Sequence, residues 1–171
     1  MCFILIYCIC FQDVKKDIVL VMEHPGPCRT LEDFLKEKQH MEERDARTLI
    51  LQIVKAAQEC LRREICHWDI HEDNILVIGP PLQIKLIDFG QGTRIGDRQV
   101  HQWPGRRISF KEAVKITVNQ LYYLMKEMAK HCSSIPAEFM RFMATCWSPV
   151  NAEDQIQHTV EEILNQPWLK D

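Results

Sequence analysis

Two short apolar runs lie near the start of the chain, and a mostly polar turn separates them. Residues Ile4–Phe11 and Ile18–Met22 are apolar throughout, whereas residues 12–17 are mostly charged or polar. Two such runs joined by a polar turn are typical of an antiparallel β-hairpin. The next segment, Glu23 to Pro27, contains two prolines. Because proline has no N–H to donate to a strand ladder, we expect a connector here.

Farther along, apolar positions recur with helical spacing. In residues 43–63 they repeat every three or four positions on one face, with charged residues on the other, which predicts a long amphipathic helix. Thr30 and Asp33 have the spacing of a capping box before a short helix that ends near Gln39. Further helices are predicted at Phe110–Met128, Pro136–Trp147 and Thr159–Leu164.

A second hairpin is predicted between the long helices. Its β-rich runs are Ile75–Ile78 and Ile84–Ile87, and a Gly-Pro-Pro sequence at residues 79–81 joins them. An irregular loop is expected from Gly90 to about Ser109. The pattern as a whole predicts an α+β chain that is mainly helical and carries small hairpins.

Composition narrows the class of protein. A length of 171 residues with 46% hydrophobic and 26% charged residues fits one soluble domain. A net charge of −3 without a basic run gives no reason to expect nucleic acid as a partner. The apolar stretch Met1–Phe11 is too short to span a bilayer, so no membrane is expected either. Eight cysteines without C-x-x-C spacing predict a reduced intracellular protein, in the cytoplasm or the nucleus.

A cluster of polar residues suited to catalysis follows the long helix. The segment from His67 to Asn74 reads His-Trp-Asp-Ile-His-Glu-Asp-Asn, and Asp88 begins an Asp-Phe-Gly sequence after the second hairpin. Asn74 and Asp88 offer the hard oxygen ligands that Mg²⁺ prefers. Asp69, five residues before Asn74, offers a general base. These are the groups that phosphoryl transfer requires.

The two motifs, H-x-D-x-x-x-x-N and D-F-G, resemble the catalytic loop and metal-binding motif of protein kinases. Together with the Glu-His-Pro-Gly-Pro segment and the Asn-Gln-Pro-Trp ending, the chain most resembles Pim-type serine/threonine kinases. The resemblance implies a protein-kinase-like fold: a mainly helical C-lobe, a small β-hairpin catalytic insert and a remnant of N-lobe strands. Residues 1–171 would form a partial kinase domain, with strands at 1–22, a hinge at 23–29 and the C-lobe at 30–171.

The resemblance also implies roles for single residues. Asp69 would accept the proton of a protein serine or threonine hydroxyl, and Asn74 and Asp88 would hold Mg²⁺ on ATP. The carbonyl of Glu23 would receive the adenine amino group, whereas Pro25 has no N–H to offer the adenine. ATP, Mg²⁺ and a protein substrate or partner protein are therefore the expected ligands. His67 is expected to pack near the Phe of the Asp-Phe-Gly motif as a structural residue.

Several positions depart from the kinase pattern. The sequence begins at what resembles the fourth or fifth N-lobe strand, so it shows no glycine-rich loop, strand lysine or partner glutamate. Trp68 stands where many kinases carry an arginine. His71 replaces a catalytic-loop lysine, and histidine is mostly uncharged at pH 7. No A-P-E segment is found, and Gln157 stands where its partner arginine is expected. These departures predict weakened transition-state stabilisation and substrate docking.

Two alternatives remain open at this point. A catalytically inactive, pseudokinase-like interaction module is one, and the shortened substrate region supports it. The other is a hydrolase that binds Zn²⁺ through His67, Asp69 and His71, since two imidazoles and a carboxylate suit that ion. The second alternative leaves the Asp-Phe-Gly motif unexplained.

Overall fold

A computed structural model describes residues 9–12, 18–21, 24–38, 40–96, 99–100, 103–104, 107–132, 135–146 and 158–170. The strands are β1 (Ile9–Gln12), β2 (Ile18–Val21), β3 (Cys28–Thr30), β4 (Ile65–Cys66), β5 (Ile75–Ile78), β6 (Gln83–Leu86), β7 (Thr93–Arg94), β8 (Gln99–Val100) and β9 (Trp103–Pro104). The helices are α1 (Leu31–Glu37), α2 (Glu43–Arg62), α3 (Phe110–His131), α4 (Ala137–Cys146), α5 (Val160–Leu164) and α6 (Pro167–Lys170), with a 3-10 turn at Glu72–Asn74.

Both predicted hairpins are confirmed. Strands β1 and β2 pair antiparallel with Ile9 opposite Val21, and β5 and β6 pair antiparallel with Ile75 opposite Leu86. The second hairpin gains a third strand that the sequence pattern did not predict, because β3 pairs antiparallel with β5. This strand has three residues, of which the middle one is an arginine, so it carries no alternating apolar signal.

Helix α2 lies at the centre of the described part of the chain. Its apolar face packs against α3, α5 and β6, as the period of the sequence predicts. The fully buried side chains of this core include Leu49, Ile50, Val54, Ala57, Ile75, Leu86, Leu121, Met125 and Ile163. Because α2 is held on several sides, the loop that follows its last residue starts from a rigid base.

The helix ends follow local capping chemistry. The Thr30 hydroxyl accepts a hydrogen bond from the Asp33 amide at the start of α1, as the spacing predicts. Ser109 and Glu112 form a reciprocal capping box at the start of α3, and Thr159 forms one at the start of α5. Helix α3 continues three residues beyond the predicted Met128, to His131.

The described residues between Gly90 and Ser109, where an irregular loop was expected, include three short strands. Strand β7 pairs with β4, and β8 pairs with β9. Each of these strands has two residues, which is too short for a hydrophobic period to be read from sequence.

The described tryptophan and cysteine side chains that the sequence assigns to the core are buried or half-buried. Trp168 is buried and Trp68 is half-buried against the core, as expected of core or seam residues. Cys60 and Cys146 are buried, as expected. The predictions for Ile4–Cys8, Glu23, Trp147 and Gln157 lie outside the described residues. No described helix combines the length and the apolar character needed to cross a membrane.

Candidate active site

The two polar motifs of the sequence are brought to the same end of the second hairpin. The first follows α2 and β4, and the second follows β6. Strand β4 pairs with β7, which comes just after the Asp-Phe-Gly motif, so a short ladder ties the flanks of the two motifs together. The Ile87 amide also donates to the Asn74 carbonyl oxygen at 2.9 Å, which links them directly.

His67 is a buried brace between the motifs. Its ring is fully inaccessible, and its Nδ1 accepts a hydrogen bond from the Asp69 amide at 3.3 Å. The proton therefore lies on Nε2, which donates to the Ile87 carbonyl oxygen at 3.0 Å. Burial lowers the pKa of His67, so the ring stays neutral in this role. The ring centroid lies 4.4 Å from that of Phe89, which confirms the predicted contact.

Asp69 and Asn74 form a hydrogen-bonded pair. The Asn74 amide nitrogen donates to the Asp69 carbonyl oxygen at 2.9 Å and to its carboxylate Oδ2 at 3.1 Å. Asn74 is 8% exposed, whereas the Asp69 side chain is 42% exposed. Since both amide hydrogens of Asn74 are used, Oδ1 is the remaining polar atom of its side chain. The carboxylate of Asp69 remains accessible to a substrate.

Asp88 is presented on a left-handed residue. Its φ angle is 58°, and its Oδ1 accepts a hydrogen bond from the Gly90 amide at 3.0 Å. A Cβ atom at position 90 would lie 2.9 Å from that oxygen, so a larger residue there would push the carboxylate out of this position. The exposed carboxylate of Asp88 and the Oδ1 of Asn74 are hard oxygen donors, a set that suits Mg²⁺.

His71 caps the 3-10 turn and faces the base. Its Nδ1 accepts a hydrogen bond from the Asp73 amide at 3.3 Å, so the proton of the neutral ring lies on Nε2. That atom is 3.6 Å from Oδ1 of Asp69. The polar edge of the ring therefore points toward the carboxylate that the sequence predicts to be the base.

Two contacts at this site were missed by sequence reasoning. The Trp68 carbonyl oxygen accepts a hydrogen bond from Nε2 of Gln120 in α3, and φ at Trp68 is 68°. The Glu32 and Asp73 carboxyl groups are also neighbours. Sharing a proton with Glu32 raises the pKa of Asp73, whereas the Lys36 ammonium and Asp73 lower the pKa of Glu32. These contacts join residues 52 and 41 positions apart, and no local pattern marks such pairs.

The zinc alternative is not supported. Both ring nitrogens of His67 are engaged by main-chain groups, so neither can bind a metal without breaking a hydrogen bond. Within the described ranges, no three His, Cys, Asp or Glu side chains are grouped so as to hold a metal ion. The oxygen pair of Asn74 and Asp88 remains the better candidate for a cation.

Comparison with known proteins accords with this geometry. The family profile described as "Protein kinase domain" matches residues 2–105. The serine/threonine-protein kinase pim-2 of Danio rerio is 32% identical over 186 residues, covering 93% of this chain and 59% of that protein. The serine/threonine-protein kinase prk-2 of Caenorhabditis elegans is 32% identical over 98 residues, covering 57% and 22% respectively. The chain thus spans less than two thirds of the length of these relatives.

A solved structure extends the likeness to the fold. The chain superposes on a crystal structure of the Rad53 kinase domain and SCD2 with a TM-score of 0.64, covering 89% of this chain and 65% of that one. The identity is 19%, so this comparison concerns the fold alone. The α+β prediction of a protein-kinase-like fold is confirmed. The chain belongs to the protein kinase domain family.

Proposed function

We propose that this chain is a serine/threonine protein kinase domain of Pim type, which transfers the γ-phosphoryl group of ATP to a serine or threonine hydroxyl of a protein substrate. The observation that carries the proposal is the hydrogen-bonded pair of Asp69 and Asn74, held beside the Asp-Phe-Gly turn. The similarity to a kinase named pim-2 supports the Pim-type assignment.

Asp69 is the proposed base. Its Oδ2 is held by Asn74 at 3.1 Å, while among the described residues the partner of Oδ1 is the ring of His71 at 3.6 Å. Oδ1 is therefore the atom that would accept the proton of the substrate hydroxyl. The hydroxyl oxygen forms a bond to the γ-phosphorus as the bond between that phosphorus and the β,γ-bridging oxygen breaks. ADP leaves with the electron pair.

Asn74 and Asp88 are the proposed metal ligands. When bound, Mg²⁺ supplies charge neutralisation between the β- and γ-phosphates. Asn74 would contribute Oδ1, whose orientation its two N–H···O bonds to Asp69 fix. Asp88 would contribute its carboxylate, which the Gly90 amide orients. Preorganised ligands of this kind lower the cost of ordering at the moment of reaction.

His71 is proposed to act as a weak hydrogen-bond donor near the γ-phosphate. Its Nε2–H lies at the edge of the base, where a neutral N–H can donate one hydrogen bond. A lysine would supply a permanent cation at this position instead. We therefore expect slower turnover than a lysine at the same position would give.

The adenine would lie against the connector that precedes β3. The Glu23 carbonyl is proposed to accept from the adenine amino group, and Pro25 offers no N–H in return. Pairing of β3 with β5 anchors the end of this connector on the catalytic hairpin. We further propose the boundaries 1–22, 23–29 and 30–171 for strands, hinge and C-lobe. An intracellular location, in the cytoplasm or the nucleus, is proposed from the cysteine usage.

The alternative of an inactive interaction module is not favoured by the comparisons. The two relatives described above carry the names of serine/threonine kinases, and the base and both proposed ligands are present in this sequence. Phosphoryl transfer, rather than nucleotide binding, distinguishes an active kinase from an inactive module, because both can bind nucleotide.

The first test is binding of ATP in the presence and absence of Mg²⁺, by thermal shift and calorimetry. We expect binding that requires Mg²⁺ and is lost in Asp88→Ala, and that is retained in Glu161→Ala, which removes an exposed carboxylate from α5. Transfer of radiolabelled phosphate to a protein substrate should then fall by about two to four orders of magnitude in Asp69→Asn. Nucleotide binding with equal transfer by wild type and Asp69→Asn would contradict the role of the base.

A further inference from the structure

We propose that a basic groove, separate from the catalytic side chains, docks an acidic segment of a partner protein. The groove lies between α1, the first turns of α2 and the turn that joins β5 to β6. Its volume is about 510 Å³, within the range of ligand-binding clefts. None of the proposed catalytic or metal-binding residues lines it, so the inference goes beyond the proposed kinase reaction and does not depend on it.

Three cations line the groove against one carboxylate. They are Arg29, Lys38 and Arg44, and the carboxylate is that of Asp45. Lys38 pairs with Asp45 at 2.9 Å, and Arg29 pairs with Glu37 on the flank of α1. Arg44 is exposed and makes no ion pair with any residue that the structure describes. Set against Asp45 and Glu37, the three cations leave an excess of one positive charge, on Arg44, for an incoming segment.

Two of these cations contact the same aromatic ring. The Arg29 guanidinium and the Lys38 ammonium each lie 5.1 Å from the ring centroid of Phe34, which is itself 1% exposed. Both charges therefore lie close to the same ring, so one acidic segment can meet both of them.

The remaining wall is apolar and rigidly held. Pro80, Pro81 and Leu82 form it. Gln52 of α2 holds the turn from behind, because its Nε2 donates to the Leu82 carbonyl oxygen at 3.0 Å and its Oε1 accepts from the Ile84 amide at 3.1 Å. A preformed wall lowers the entropy that binding must overcome.

These features favour an acidic peptide over other anions. A small-molecule site would need buried polar groups that converge on the ligand, whereas the Arg29 and Lys38 side chains are 42% and 40% exposed. A nucleic acid would need a longer row of phosphate contacts than three cations supply. An extended segment with carboxylates for the cations and an apolar side chain for the proline wall matches both parts of the groove.

The test is fluorescence anisotropy with the whole chain and a fluorescein-labelled peptide in which glutamates flank a central leucine. We expect saturable binding that weakens as salt is raised and that the matched peptide with glutamine for every glutamate does not show. Arg44→Glu should weaken binding about tenfold through charge reversal in the groove. Lys55→Glu makes the same charge change about 16 Å along the same helix and should leave binding unchanged.

A second variant protects the test against a folding defect. Thr48→Glu places a carboxylate on the groove wall without removing an ion pair and should weaken binding in the same direction. Thermal melting of each variant confirms that it is folded. Equal binding of the acidic peptide to wild type, Arg44→Glu and Thr48→Glu would overturn the proposal. So would the absence of binding, or binding of a phosphoserine peptide without binding of the acidic peptide. Magnesium-dependent ATP binding in the same samples reports separately on the proposed kinase function.

Discussion

Hydrogen bonds that the sequence motif does not reveal join three residues of the catalytic loop, His67, Asp69 and Asn74. They also tie His67 to the residue that follows β6. His67 spans from the Asp69 amide to the Ile87 carbonyl oxygen, and Asn74 uses its amide hydrogens on Asp69. The buried pair of His67 and Asn74 thus positions an exposed carboxylate. The sequence motif indicates which residues take part in the proposed reaction. The hydrogen bonds indicate which atom of each residue stays available for that role.

Residue 71 offers a direct test of how much a permanent cation contributes at this loop. His71→Lys should raise kcat for phosphoryl transfer on the order of tenfold, because a fixed positive charge stabilises developing negative charge better than a neutral N–H. Steady-state kinetics with a protein substrate and saturating ATP would measure the change. The cap on the 3-10 turn is lost in this variant, so a lower melting temperature is expected alongside the higher rate.

His71→Gln is the matched control. It removes the same cap and stays uncharged, so we expect the lower melting temperature without the gain in kcat. A kcat for the lysine variant no higher than that of wild type would show that this side chain does not face the transferred phosphoryl group.

Among the elements, the short helix α6 carries an aromatic side chain that ties it to α2 and α4. Trp168 is buried, its Nε1 donates to the Glu43 carboxylate of α2 at 2.8 Å, and its ring lies 4.8 Å from that of Phe139 in α4. The Arg47 guanidinium lies over the same ring at 5.7 Å. A helix of four residues has almost no stability of its own, so these contacts hold it in place.

Trp168→Ala should therefore lower the free energy of unfolding by about 3–5 kcal/mol, the usual cost of deleting a buried aromatic ring. Trp168→Phe keeps most of the ring and loses the hydrogen bond, so a smaller loss of about 1–2 kcal/mol is expected. Urea unfolding followed by circular dichroism would measure both. The exposed neighbour Lys170 provides a control, since Lys170→Ala should leave the midpoint unchanged. Equal midpoints for the alanine and phenylalanine variants of Trp168 would contradict the packing argument.

Long helices and clear hairpins could be predicted from sequence, while short elements could not. The apolar period of α2 is strong enough to locate its end within one residue of the predicted Arg63. Strand β3 and the two-residue strands β4 and β7 form only because tertiary neighbours supply their partners. At the site the same limit applies. The motifs identify Asp69, whereas the brace from Gln120 depends on where α3 packs.

At the scale of the whole molecule, three buried thiols make stability depend on alkaline pH. Cys60, Cys66 and Cys146 are at most 4% exposed, and burial raises the pKa of each thiol from 9.0 to about 12. They lie on α2, β4 and α4, so no single element accounts for the effect. All three are free, as the cysteine spacing predicts.

The sign follows from which state releases protons first. As pH rises above about 9, the thiols of the unfolded chain ionise while those of the folded chain stay protonated. The stabilising contribution is therefore complete below pH 9 and is lost as the pH rises toward 12. We expect the free energy of unfolding to fall by on the order of 1 kcal/mol per thiol for each unit of pH in this range. Urea unfolding at a series of alkaline pH values would show the slope.

Replacing one thiol separates this effect from general alkaline damage. Cys60→Ala removes one ionisable group from the core, so its stability should fall less steeply with pH than that of wild type, whatever its stability at neutral pH. Other groups also titrate in this range, but they are common to both chains and cancel in the difference between the two slopes. Parallel curves for the two proteins would mean that the buried thiol ionises as readily in the folded chain as in the unfolded one, which would contradict its burial in the core on α2.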